Sequence, residues 1–194
     1  MPNLEIIGGQ LERVGFAHTS FEELGINRSA DLVDEIASRV NESKGSPEAM
    51  KVVEHIDKNN MMIVQDPICL ELGRRYIKPA IEVLFHDQPE ALETWALFGL
   101  NRYRAGGKFG PHRDYVGKSV LVFTVTGERD FDIYHTEPDD PENKTDFDTV
   151  IASYRQKPGS IMVLDRDIDP AHAVKLALTD GIVAVADVDG VIRG

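Results

Sequence analysis

Residues 101–114 read NRYRAGGKFGPHRD. Four basic residues, three glycines, a histidine and a carboxylate share these positions, in a chain whose net charge is −12. Just upstream, ETWALFGLNRYRAGG alternates as a strand does. That alternation predicts Trp95, Leu97, Gly99, Asn101 and Tyr103 on one face, turned toward the core. The glycines after it predict a turn. Beyond the turn come short apolar runs separated by turn residues: SVLVFTVTG, FDIYH, SIMVLD, AVKLAL and IVAVADV. Six or more short strands with polar turns predict a β-barrel or sandwich from Thr94 onward. EPDDPENKTDFD is a long polar connection between two of them.

Upstream of residue 93 the texture is helical. SADLVDEIASRV opens on the N-cap candidate Ser29 and spaces Leu32, Val33, Ile36 and Val40 at helical intervals. SPEAMKVVEHI has Ser46 as N-cap and Pro47 at the first helical position. MMIVQ, beginning at Met61, reads as a short strand. DPICLELGRRYIKPAIEVLF reads as a longer helix, kinked or interrupted at Pro79. The expected class is α+β, with a mainly helical part over 1–92 packed on a β core over 93–194 in a single domain.

The chain has 194 residues, enough to bury a core without disulfides. Its one cysteine, Cys69, falls in an apolar helical stretch and reads as a small buried residue. One cysteine makes no intrachain disulfide, and the expected compartment is the reducing cytoplasm. No secretory signal is expected from MPNLEIIGGQLERVGF, and no apolar run is long enough for a membrane span. A net charge of −12 counts against nucleic acid as a partner, because a phosphate-tracking surface shows an excess of Lys and Arg. The charge is uneven. Arg102 to Lys118 carries five basic residues and one acidic, whereas Glu128 to Asp148 carries nine acidic and two basic. Oligomeric state is not legible.

His112 and Asp114 stand two apart, so in extended backbone both side chains project to one side. An imidazole and a carboxylate so placed are two-thirds of the 2-His-1-carboxylate triad that holds non-haem Fe(II). The distal histidine is His135 or His172. His135 ends FDIYH and leads into the acidic connection, a rim position. His172 follows a strand and a short turn and opens another strand, where barrel ligands converge, and it is the one expected. Asn101 and Tyr103, polar on an inward face, need partners or a ligand.

The segment NRYRAGGKFGPHRD resembles the N-x-Y…G…H-x-D signature of AlkB-like Fe(II)/2-oxoglutarate dioxygenases. The resemblance extends through KSVLVFTV and through PGSIMVLD followed by HAV, covering roughly Trp95 to Leu178. It implies a double-stranded β-helix, or jelly-roll barrel. It implies Fe(II) on His112, Asp114 and His172, and 2-oxoglutarate as co-substrate with Asn101 and Tyr103 on its carboxylates. The implied reaction consumes O2, releases succinate and CO2, and hydroxylates or demethylates a C–H bond.

Similar enzymes also carry an arginine on the strand after the distal histidine, where it pairs with the far carboxylate of 2-oxoglutarate. Here the best-placed residue is Val183. The candidate replacements are Arg193, Lys118 and Lys175, with Arg104 and Arg129 on neighbouring strands. Arg102 and Arg104 alternate with Asn101 and Tyr103 and are expected to point away from the pocket. For the substrate, a small molecule or a protein side chain fits the charge better than the alkylated nucleic acid the resemblance suggests. The absent arginine keeps two further readings open: a barrel that binds a ligand without turnover, and a cupin-like iron enzyme that uses no 2-oxoglutarate.

Overall fold

Alternating apolar residues build two antiparallel sheets, and amphipathic helices cover one of them. The computed structural model describes residues 4–43, 61–113, 118–134, 149–165 and 170–192. The elements run α1 (Leu4–Val14), β1 (Phe16–Ser20), α2 (Ala30–Glu42), β2 (Met61–Val64), α3 (Pro67–Leu84), α4 (Pro89–Thr94), β3 (Ala96–Tyr103), β4 (Phe109–His112), β5 (Ser119–Thr126), β6 (Arg129–Tyr134), β7 (Val150–Gln156), β8 (Ser160–Asp165), β9 (His172–Ala177) and β10 (Gly181–Val188). One sheet has the order β1-β8-β5-β10-β3-β2 and the other β4-β9-β6-β7. The eight strands from β3 to β10 cross repeatedly between the two sheets, which is the double-stranded β-helix of the jelly roll.

The helices form where their caps dictate. Ser29 accepts the Leu32 N–H at the start of α2, and Asp66 accepts from Ile68 and Cys69 ahead of Pro67 in α3. The helix α3 continues through Pro79. The carbonyl that Pro79 leaves without an intrahelical donor belongs to Arg75, an exposed residue whose carbonyl water can serve. Cys69 is buried, as expected. The helix predicted from Ser46 lies outside the described residues.

The six-stranded sheet is covered on both faces. Its outer face packs on α1, α2 and α3 through Leu11, Ile36, Ile77, Leu100, Phe123 and Ala184. Its inner face meets the smaller sheet through Phe16, Val122, Phe131, Met162, Val174 and Val183. Strand β5 is accordingly buried along nearly its whole length. Gly73 permits the close approach of α3 to β3: a Cβ there would lie 2.8 Å from the Leu97 side chain.

The mainly helical first part carries β1 beside the expected β2, and these two strands supply both edges of the large sheet. One expectation needs correction. Leu97 does not share the inner face with Asn101. Val185 pairs with Gly99 and Ala186 with Leu97, so Phe98 is an extra residue on β3. This bulge reverses the alternation and turns Leu97 onto the helices. Among the described residues no helix is long and apolar enough to cross a membrane.

Candidate metal and co-substrate site

Strands β4 and β9 pair so that His112 lies directly opposite His172. Their rings tilt together with centroids 4.3 Å apart. Phe109 meets His112 edge-on at 4.2 Å, and Phe131 stacks on His172 at 5.3 Å. The Nδ1 of His112 lies 2.8 Å from the Gly110 carbonyl, and that of His172 lies 3.2 Å from the Pro170 carbonyl. A carbonyl can only accept, so in both rings Nδ1 carries the proton. In the neutral ring this leaves Nε2 as the lone-pair nitrogen, as a metal-binding imidazole requires. The glycine-rich turn before β4 is tied to β9: Gly106 donates to Ala177 O, and Ala177 donates to Gly107 O, each at 2.8 Å.

The histidines border a cavity of about 220 Å³ between the sheets. Asn101 and Tyr103 also line it, as the strand reading expects, together with Met61, Ile63, Val183 and Arg129. Arg129 opens β6 and is only 3% exposed. Its Cζ stands 5.7 Å from the centroid of the Tyr103 ring and 5.8 Å from that of Phe131. Its Nε and Nη2 have no hydrogen-bond partner among the described residues. Burial lowers the guanidinium to about 10, with Tyr103 acting in the opposite direction, so it stays charged at neutral pH. A buried guanidinium with unfilled donors is unfavourable alone and suits a site that receives an anion.

The other candidate cations lie elsewhere. Lys118 pairs with Asp189 at 3.2 Å and Lys175 with Asp132 at 3.7 Å, each with a well-exposed side chain. Neither lines the cavity. Arg104 pairs with Asp180 at 2.7 Å on the surface. Arg102 donates to the Val40 and Asn41 carbonyls at the end of α2. Both arginines thus point away from the cavity, as expected. Val183 lines the cavity as an apolar wall. Asp114, His135 and Arg193 lie outside the described residues. Among the described residues no cluster of three metal-ligating side chains forms.

Arg129 was legible only in part. RDFDIY alternates, placing Arg129 with Phe131 and Ile133 and opposite Asp130 and Asp132. A cation that shares the apolar face of a strand is a signal of a buried anion site.

No family model matches the chain, and no curated protein matches it. Solved structures do. A prolyl-4-hydroxylase from Pseudomonas putida superposes with a TM-score of 0.60 at 15% identity, covering 98% of this chain and 99% of that one. A Trichoplax adhaerens prolyl hydroxylase, solved with a hypoxia inducible factor peptide fragment, gives 0.61 at 13% identity, covering 95% and 88%. A Burkholderia pseudomallei oxidoreductase of the 2OG-Fe(II) oxygenase family gives 0.55 at 12%, covering 98% and 93%. At such identities the likeness establishes the fold. The described residues of this chain share the fold of these proteins, with the jelly roll formed by β3 to β10.

Proposed function

We propose that this protein is a non-haem Fe(II)/2-oxoglutarate-dependent oxygenase acting on a C–H bond of a small molecule or a protein side chain. The observation that carries the reading is Arg129: a buried, charged guanidinium with open donors, in the same cavity as the facing pair His112 and His172. In this reading His112, His172 and Asp114 hold the iron. Arg129 holds the far carboxylate of 2-oxoglutarate in place of Arg193, Lys118 or Lys175. Tyr103 and Asn101 contribute polar contacts from β3. Iron, 2-oxoglutarate and O2 together supply oxidative decarboxylation to succinate and CO2, coupled to oxidation of the substrate C–H bond.

The protein's own residues do the rest. The Gly110 and Pro170 carbonyls hold the tautomer and orientation of the two imidazoles. Arg129 supplies a fixed positive charge where a dicarboxylate must shed its water. Phe109, Phe131, Val174 and Val183 give the cavity apolar walls. That a structural neighbour was solved with a peptide supports a protein side chain as one substrate class. The acidic charge counts against an AlkB-like nucleic-acid demethylase.

The test is anaerobic addition of Fe(II) and 2-oxoglutarate, which should give a weak visible metal-to-ligand charge-transfer band. His112→Ala and His172→Ala should lose bound iron and the band together. Succinate formed from 2-oxoglutarate only in the presence of Fe(II) separates an oxygenase from a non-catalytic barrel. Absence of the band, with metal content unchanged in both variants, removes the reading.

A further inference from the structure

One side chain of the cavity wall neighbours both the histidine pair and Arg129. Arg129, Phe131 and Ile133 alternate along β6 onto the inner face. The Phe131 ring has His172 stacked on it at 5.3 Å with an interplanar angle of 18°. The Arg129 guanidinium carbon stands 5.8 Å from the same ring centroid. One buried ring therefore touches both the histidine at the metal end and the cation at the other.

Arg129 has little room to retreat. Behind it, among Thr124, Thr126 and Gly127, lies a void of about 10 Å³. That is at the lower edge of the roughly 10–15 Å³ one water needs. The wall there is made of two turns packed backbone to backbone. A Cβ on Gly127, whose φ is +77°, would lie 2.5 Å from the Asp180 carbonyl oxygen. Leu178 and Thr179 bond Glu128 across the same contact. Tyr103 flanks the guanidinium on the β3 side.

We infer that Phe131 is a specificity-determining spacer. It sets the distance between the metal end and Arg129, so the site takes the five-carbon 2-oxo diacid and rejects the one that is a methylene longer. This inference rests on the proposed reading of the cavity. An added methylene must drive the guanidinium toward the tightly packed turns behind it or push the ring off His172. Rejection of one misfitting methylene is worth roughly 10–200-fold.

The test is calorimetric titration of the Mn(II)-loaded protein with 2-oxoglutarate and with 2-oxoadipate. The wild type should prefer 2-oxoglutarate by roughly 10-fold or more, within the range one methylene supplies. Phe131→Leu, which removes the rigid ring, should lower that ratio by about tenfold. Phe131→Met keeps most of the volume, so it covers the case in which the leucine variant does not fold, and it should shift the ratio in the same direction. General damage weakens both acids alike and leaves the ratio unmoved. A wild type that does not discriminate, or a ratio unchanged in a folded variant, overturns the spacer role while leaving the iron and 2-oxoglutarate reading intact. A wild type that binds neither acid removes that reading itself.

Discussion

Arg129 carries the sharpest contrast between folding and function. With no ligand present, burying a guanidinium whose Nε and Nη2 find no partner among the described residues opposes folding. Arg129→Met in metal-free protein should therefore raise Tm, by about 2–4 °C for each kcal/mol regained. The same variant should lose 2-oxoglutarate binding in calorimetry. Differential scanning calorimetry checks the first part, and a lower Tm with binding retained would count against the anion site. His112 and His172 were legible from sequence because a two-residue spacing and a strand end are local patterns. Their contact is not local: it comes from the β4–β9 register, which brings together residues sixty positions apart. Arg129 was harder to find, since the resemblance directs attention to the strand after His172, where Val183 stands.

At the scale of elements, most strands and the caps of α2 and α3 followed from alternation and from Ser29 and Asp66-Pro67. Several features did not, the short strands β4 and β7 among them. The bulge at Phe98 answers to the β10 pairing, which no local pattern reports. Strand β1 is five residues long and pairs only with β8, far along the chain, so FAHTS carried too little periodicity to stand out. The strand has a further role through His18, whose ring stacks on Tyr154 of β7 with centroids 5.0 Å apart. This contact joins edge strands of the two sheets. Burial holds the His18 imidazole below its ordinary value of 6.5, against a smaller raising effect from Glu23. Between the folded and unfolded values only the unfolded chain binds the proton. Stability is therefore full above the unfolded value and falls as pH drops below it. His18→Phe keeps a stacked ring without a titrating group. Its Tm should change less than that of the wild type between about pH 7.5 and 5.5.

Across the whole molecule, one apolar cluster joins Leu11 of α1, Ile36 of α2 and Ile77 of α3 to Leu100, Phe123 and Ala184 of the large sheet. The helical residues and the β core should therefore melt in a single cooperative transition. Two separated calorimetric peaks would instead divide 1–92 from 93–194. The net charge of −12 acts at the same scale. Retention on an immobilised nucleic-acid column should be lost at low salt, and retention that persists at high salt would favour an alkylated nucleic acid over a small molecule or protein as substrate.

The cavity also has a direction. Phe98, 38% exposed, and Gln65 stand on its open side, while the paired turns close it behind Arg129. In the proposed reading an anion held by Arg129 has backbone, not side chains, behind it. Substitution of Gly127 or Gly181, where an added Cβ would meet the opposite turn at 2.5 and 2.7 Å, should therefore disturb anion binding without altering His112 or His172.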